Sequence, residues 1–111
     1  MGLARKTGTA AYNETEKGFQ QAVMKTARLY RWLAYHPFDS RRSEPGFPDL
    51  VMARPRSPVL FIELKREGEE LSDEQWAWLN ALWASSGRIE AGVWRPSNWD
   101  HLVHTLQRGE R

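Results

Sequence analysis

Cysteine is absent from the sequence, and its absence excludes several kinds of chemistry at once. No disulfide bond, thiolate zinc site or cysteine nucleophile can form. Any metal ion must therefore be bound through carboxylate, carbonyl, imidazole or water ligands. The lack of cysteine also fits a protein of a reducing compartment.

Long apolar segments are absent as well. No run of about 18 apolar residues is present, so the sequence predicts no membrane-spanning helix. The N-terminus contains Arg5 and Lys6 but no apolar segment, so it is not typical of a secretory signal. The formal net charge is only +2, which permits nucleic-acid binding but does not by itself argue for it.

The composition is that of one small globular domain. The chain has 111 residues, of which 41% are hydrophobic, and this is enough for one packed core. Residues 1–13 are small and polar and are predicted to be a flexible arm, and residues 14–111 are predicted to be a single domain. The six tryptophans indicate either core packing or an apolar dimer face.

The hydrophobic periodicity and the turn residues predict seven elements, in the order helix, strand, strand, strand, helix, strand, helix. This order indicates an α/β fold, a small mixed sheet flanked by helices. The predicted elements are a helix over 16–30 capped by Thr15, strands over 32–38, 49–53 and 59–65, a helix opened by a capping box at Ser72 and Gln75, a strand over 89–94, and a final helix capped by Ser97.

The third predicted strand places charge in an apolar setting. Side chains alternate along a strand, so Glu63 and Lys65 share one face while Leu64 points into the core. The apolar run over residues 59–62 predicts that this strand is buried on both faces. Charged groups at the end of such a strand are costly unless they serve a function.

A second carboxylate is expected beside Glu63. Asp49 opens the preceding strand, and in a hairpin the start of one strand neighbours the end of its partner. Two carboxylates, with a backbone carbonyl such as that of Leu64, suit Mg²⁺ or Mn²⁺ and leave positions for water and a phosphate oxygen. Lys65 would then either position the attacking water and stabilise the phosphate, or accept a proton from that water. A nuclease is therefore the leading hypothesis.

Each motif alone has an ordinary structural interpretation. A Glu-x-Lys sequence is usually a solvated strand face or an ion pair, and a Gly-Phe-Pro-Asp sequence is usually a turn. Their occurrence together, at the neighbouring ends of two strands around a buried hairpin, is what favours a functional site.

These motifs resemble the PD-(D/E)xK nuclease superfamily and, more narrowly, the VRR-NUC domain of virus-type replication-repair nucleases. The similarity extends from about Thr15 to Leu106, with no departure at the catalytic positions. It also includes the segments 71–82 and 93–96, and Glu14 is an alternative to Glu16. The residues that carry the resemblance are Glu16, Gly46-Phe47-Pro48-Asp49, Glu63-Leu64-Lys65 and Gln75.

The resemblance implies a Mg²⁺- or Mn²⁺-dependent endonuclease without an organic cofactor. Stand-alone relatives of this size resemble bacterial or phage proteins that act in the cytoplasm as homodimers on branched DNA, including four-way junctions. Two sites related by a two-fold axis would suit two symmetric cuts. The implied catalytic residues are Glu16, Asp49, Glu63, Lys65 and Gln75, with metal ligands from Asp49, Glu63 and Leu64.

Several arginines surround these motifs in the sequence. Arg41, Arg42 and Arg66 are the candidates for binding DNA phosphates, and Arg54 and Arg56 lie nearby; ordinary solubilising charge is the alternative explanation. No base-reading motif is present, which favours structure-selective over sequence-specific recognition.

Other polar residues have structural explanations of equal weight. Gln75 can be a helix cap, and Glu16 can be a first-turn acid favoured by the helix dipole. His36 can contact phosphate or simply lie at the surface. His101 and His104 lie one turn apart, but no third ligand accompanies them.

Three other functions remain open from the sequence. The first is a flap nuclease or a restriction-type nuclease that cuts duplex DNA. The second is a non-catalytic DNA-binding module. The third is a protein-interaction surface formed by the tryptophan-rich helices.

Overall fold

The structure, a computed structural model, describes residues 15–37 and 43–108. Its elements follow the predicted order and confirm the α/β fold. The helices are α1 (Glu16–Leu29), α2 (Asp73–Ala84) and α3 (Trp99–Gln107), the strands are β1 (Leu33–Tyr35), β2 (Leu50–Ala53), β3 (Val59–Leu64) and β4 (Ile89–Trp94), and a 3₁₀ turn spans Pro96–Asn98.

The four strands form one mixed sheet in the order β1-β2-β3-β4. The pairs β1–β2 and β2–β3 are antiparallel, and β4 is parallel to β3. A parallel neighbour requires a crossover connection, and α2 provides it. Strand β3 is therefore central, as its apolar run predicts.

The two faces of the sheet have different partners. Side chains of β2 and β3 on one face, including Leu60, Ile62 and Leu64, belong to a buried core with residues of α1 and α3 such as Phe19 and Leu106. On the other face, Phe61 contacts Phe47, which in turn packs edge-to-face on Trp78 of α2 with ring centroids 4.9 Å apart. This second face also contains Glu63, because side chains alternate along β3.

The starts of the first two helices agree with their predicted caps. The Thr15 hydroxyl accepts a hydrogen bond from the Gly18 amide at the start of α1. At α2, Ser72 and Gln75 form a complete capping box. Both caps satisfy amide groups that the first turn of a helix leaves without partners.

Two predicted boundaries are wrong. The strand predicted over 32–38 is shorter, since it pairs with β2 only from Leu33 to Tyr35, and Trp32 instead packs in the core and donates from its indole to the Leu106 carbonyl. Ser97 does not cap the last helix. Pro96 opens the 3₁₀ turn, α3 begins at Trp99, and its N-cap residue Asn98 accepts from the Arg95 amide.

Within the two described ranges, no helix is long and apolar enough to cross a membrane.

Candidate active site

Asp49 and Glu63 lie across from each other at one end of the β2–β3 hairpin. The register pairs Leu50 with Ile62, so Asp49 falls opposite Glu63, and opposite residues on antiparallel strands point to the same face. Their carboxyl groups lie close enough to shift each other's pKa. The Leu64 amide donates to Asp49 Oδ2 at 2.9 Å and fixes its orientation. The structure thus brings together the two carboxylates that the hairpin argument paired.

Two further side chains converge on one oxygen of Glu63. Gln75 Nε2 donates to Glu63 Oε2 at 2.9 Å, and Lys65 Nζ lies 3.9 Å from the same oxygen. Glu63 is only 3% exposed, so these contacts occur in a largely dry environment. Lys65 supplies a compensating charge at the mouth of the site, while Gln75 supplies a neutral donor from α2.

The electrostatics of the pair favour a bound proton or a cation. Burial, together with the neighbouring Asp49 carboxyl group, raises the pKa of Glu63 from 4.5 to about 8. Burial also raises the pKa of Asp49, although the Leu64 amide opposes this shift. Two carboxylates in contact cannot both ionise cheaply in a low-dielectric site. A divalent cation between them would remove this cost.

Gln75 links the site to the start of α2. Its Oε1 accepts from the Ser72 amide, its own amide donates to the Ser72 hydroxyl, and its Nε2 is left to reach Glu63. Because the capping box holds both the backbone amide and the Oε1 atom of Gln75, its side chain is kept in one orientation. The predicted helix cap and the contact with the site therefore coexist.

Glu16 faces the same site from α1. A cavity of about 530 Å³ is lined by Glu16, Asp49, Leu64 and Gln75, together with His36 and the loop before β2. Lys17, Gln20 and Glu44 also line this cavity. Gln20 lies one turn after Glu16 on α1. Nothing in the local pattern connects Lys17 or Glu44 with a site formed by distant strands.

The structure describes only some of the candidate DNA-binding arginines. Arg41 and Arg42 lie outside the described residues. Arg66 is exposed directly after Lys65, and its backbone bonds to the Glu69 carboxylate and the Arg95 guanidinium. Arg54 is a structural residue, because its guanidinium lies over the Trp32 ring and donates to the backbone carbonyls of Tyr30, at the end of α1, and Leu106, in α3.

The histidines do not form a metal centre with other ligands. Among residues 15–37 and 43–108, no group of three or more histidine, aspartate or glutamate side chains is placed to hold a metal. His36 lines the cavity, with Nδ1 3.1 Å from the Pro37 carbonyl. His101 lines a separate hollow beside β4.

The Asp49–Glu63 pair fits a hard dication that retains water. The donor set is the buried Glu63 carboxylate and the half-buried Asp49 carboxylate, and Leu64 lines the same cavity as Asp49, where its backbone carbonyl would add a further oxygen ligand. With so few protein ligands, most coordination positions would be filled by water and substrate oxygens. This ligand set is typical of Mg²⁺ or Mn²⁺.

Gly46 controls how the loop that carries Asp49 packs against α2. Its φ of +84° is in the left-handed region, and a Cβ there would lie 2.4 Å from the Glu74 backbone carbon. We expect Gly46→Ala to lower the free energy of unfolding by about 2 kcal/mol or more, since the left-handed backbone alone costs a non-glycine residue about 1–2 kcal/mol. Chemical denaturation measures this change.

Gly68→Ala is the matched control for that experiment. Gly68 has a similar φ of +82°, but nothing lies within 4 Å of the added Cβ. It should therefore show only the backbone cost. Equal losses in the two variants would contradict a steric role for Gly46, whereas a larger loss in Gly46→Ala, with weaker activity, would tie loop packing to the position of Asp49.

The comparisons with known proteins identify the family and the fold of the chain. The family model described as the VRR-NUC domain matches residues 8–96. A solved structure described as a VRR_NUC domain has the same fold, with a TM-score of 0.64 and 21% sequence identity over 80% of this chain and 94% of that chain. A search of curated proteins found no match.

The family match defines a nuclease-type domain. The chain belongs to the VRR-NUC domain family.

Proposed function

We propose that the chain is a Mg²⁺- or Mn²⁺-dependent endonuclease that hydrolyses phosphodiester bonds in branched DNA, acting as a Holliday-junction-resolving homodimer. The observation that carries this proposal is the convergence of Lys65 and Gln75 on the same oxygen of Glu63, with Asp49 in contact. Membership of the VRR-NUC family supports a nuclease and DNA as its substrate.

The residues of the chain have separate tasks in this proposal. Asp49 and Glu63, with the Leu64 carbonyl, would hold the metal, which lowers the pKa of a bound water and offsets charge on the phosphate. The Leu64 amide orients Asp49, and Gln75 orients Glu63. Glu16 lines the same cavity as Asp49.

Lys65 acts on the substrate side of the pair. Its Nζ approaches Glu63 without a short hydrogen bond, and its side chain is 15% exposed. The ammonium group can therefore turn towards a phosphate oxygen or towards the attacking water. A fixed cation at that point stabilises the charge that develops on the phosphate.

Structure selectivity is proposed because the candidate contacts are to the DNA backbone. The residues proposed to contact phosphates are Arg41, Arg42 and Arg66, and phosphate contacts position DNA without reading its sequence. A net charge of only +2 favours a short contact with DNA over a long non-specific one. A branched substrate, which presents several backbones to one site, suits such a small interface.

The experiment is cleavage of end-labelled four-way junction, flap, single-stranded and linear duplex DNA with Mg²⁺, Mn²⁺ or a chelator. We expect paired, symmetric cuts near the junction that require metal. Cuts confined to a flap would keep the nuclease but assign it to flap processing, and fixed bands from linear duplex would assign it to the restriction type. DNA binding without cleavage on any substrate would favour a non-catalytic module.

A further inference from the structure

Helix α2 is apolar on a side that does not face the core. Of its twelve residues only Leu79 is buried, yet Trp76 is 46% exposed and Trp83 is 52% exposed. No residue from Gln75 to Gly87 is charged, in a chain in which 27% of residues are charged. Helices that expose apolar residues on their outer side are usually covered by another protein element.

The exposed tryptophans form one continuous surface with Asn80. Residues four and seven positions apart lie on the same side of a helix, so Trp76, Asn80 and Trp83 are aligned. The Trp76 and Trp83 rings contact each other edge-on, with centroids 6.4 Å apart. We call Trp76, Asn80 and Trp83 the tryptophan face.

The tryptophan face lies towards the outer edge of the sheet, away from the Asp49 loop. The other side of α2 contacts that loop through Trp78 and Glu74. Trp83 Nε1 instead donates to the Ala91 carbonyl of β4 at 2.8 Å. This bond occupies a backbone acceptor of the edge strand, so a partner would meet side chains here rather than add a strand.

The lack of charge favours a second copy of the chain as the partner. Around a two-fold axis each residue approaches its own copy, so any charge at the centre would meet a like charge. A DNA partner would require cations on this face, and a charged protein partner would require complementary charge. The three side chains of the tryptophan face carry no charge. The nearest charges lie at one end of it, where Asp73 precedes Trp76 by one turn and where Trp76 lines a hollow with Glu67, Glu69, Glu70 and Arg95. These mainly acidic neighbours oppose DNA and suit a polar rim, while the exposed aromatic area of about 250 Å² suits the centre of an interface that covers about 800 Å² per partner.

The sheet offers a rival apolar surface at its opposite edge, formed by Leu29, Leu33 and Tyr35, which are all exposed. Arg28 adjoins it in sequence and is also exposed. Like charges close to a two-fold axis would oppose pairing at that surface. The tryptophan face is therefore the better candidate.

We propose that Trp76, Asn80 and Trp83 form the centre of the two-fold interface between two copies of this chain. This inference rests on the proposed homodimeric function. Because α2 carries Gln75 at its N-terminal end and the tryptophan face along its side, the interface would set the spacing of the two active sites. The dimer would thus determine where the paired cuts fall on a branched substrate.

The test is the mass of the wild-type chain and its variants by sedimentation equilibrium. We expect the wild-type chain to have twice its monomer mass of 12.9 kDa, and Asn80→Arg to be a monomer. Ala81→Arg is the matched control, because the same charge is added to the same helix at an exposed position about 100° away and should leave the dimer intact. Trp76→Ala should raise the dimer Kd about 30-fold or more.

Three results would overturn the interface. They are a wild-type monomer at all concentrations, a dimer that survives Asn80→Arg, and loss of the dimer in Leu33→Arg but not in Asn80→Arg. Weaker binding of branched DNA by Trp76→Ala, with an unchanged mass, would also overturn it and indicate a base-stacking surface instead.

Cleavage separates this inference from the proposed function. We expect Asn80→Arg to keep metal-dependent nicking of a cruciform plasmid but to lose paired cuts that linearise it, whereas Ala81→Arg should retain both. Persistent linearisation by monomeric Asn80→Arg would contradict the interface. Absence of any cleavage by the wild-type chain would contradict the proposed nuclease, independently of its mass.

Discussion

Asp49→Asn and Lys65→Ala are expected to slow metal-dependent DNA cleavage by about 10³-fold or more, while the fold and DNA binding survive. Asp49→Asn keeps the shape of the side chain but removes a charge that would bind metal. Lys65→Ala removes the one cation seen against Glu63 in the described part of the chain. Single-turnover cleavage of a labelled junction measures both effects, with binding measured separately in chelator.

Lys25→Ala is the matched control for the lysine variant. Lys25 is exposed on α1 and lies outside the cavity walls, so this change removes the same charge from a different place. Cleavage should remain close to the wild-type rate. Equal losses in Lys65→Ala and Lys25→Ala would show that net charge, and not the position of Lys65, limits the reaction.

Glu63→Gln is expected to abolish cleavage and yet stabilise the metal-free protein at pH 8. The pKa of Glu63 is raised from 4.5 to about 8 in the fold, so the folded state holds a proton that the unfolded chain has already lost over that range. The free energy of unfolding must therefore fall as the pH rises from about 4.5 to 8. At about 1.4 kcal/mol per pKa unit, the loss is on the order of 4 kcal/mol.

Glutamine at position 63 removes this pH dependence because it cannot ionise. It can still accept from Gln75 and donate to Asp49, so the packing of the site is preserved. Denaturation at pH 5 and pH 8 in chelator should show a large gain for the variant only at pH 8, and Glu70→Gln, in an exposed loop, should show none. A wild-type stability that rises between pH 5 and 8 would contradict the buried, protonated pair.

The Asp49–Glu63 contact could be predicted from the sequence because it depends on local rules. Alternation along a strand places the Glu63 side chain on the other face of the sheet from Leu64. The hairpin then places Asp49 beside Glu63. Both rules act over a short stretch of chain, and the register of β2 and β3 agrees with them. The buried central strand followed from its apolar run for the same reason.

Contacts between distant elements could not be predicted in this way. The bond from Gln75 to Glu63 depends on where α2 crosses the sheet, and the position of Glu16 depends on how α1 docks. Only the family resemblance indicated these residues. The close approach of Gly46 to Glu74 had no sequence signal, because a glycine after a proline is typical of an ordinary turn.

The tryptophans and the last helix show two other limits of sequence reasoning. Composition left core packing and a dimer face as alternatives for the tryptophans, and the structure contains buried Trp32 and Trp94 but exposed Trp76 and Trp83. At the last helix, serine is a common cap, but Pro96 begins a 3₁₀ turn that moves the helix start to Trp99.

The most direct test of the central claim is to locate the metal by replacing it with Fe²⁺. In the presence of ascorbate and peroxide, bound iron generates radicals that cut the nearby polypeptide, and the fragments identify the site. We expect cuts near Asp49 and Glu63 that excess Mg²⁺ suppresses and that Asp49→Asn eliminates. Cuts centred on His101 and His104, or a pattern unchanged in Asp49→Asn, would contradict a metal-dependent nuclease site at the Asp49–Glu63 pair.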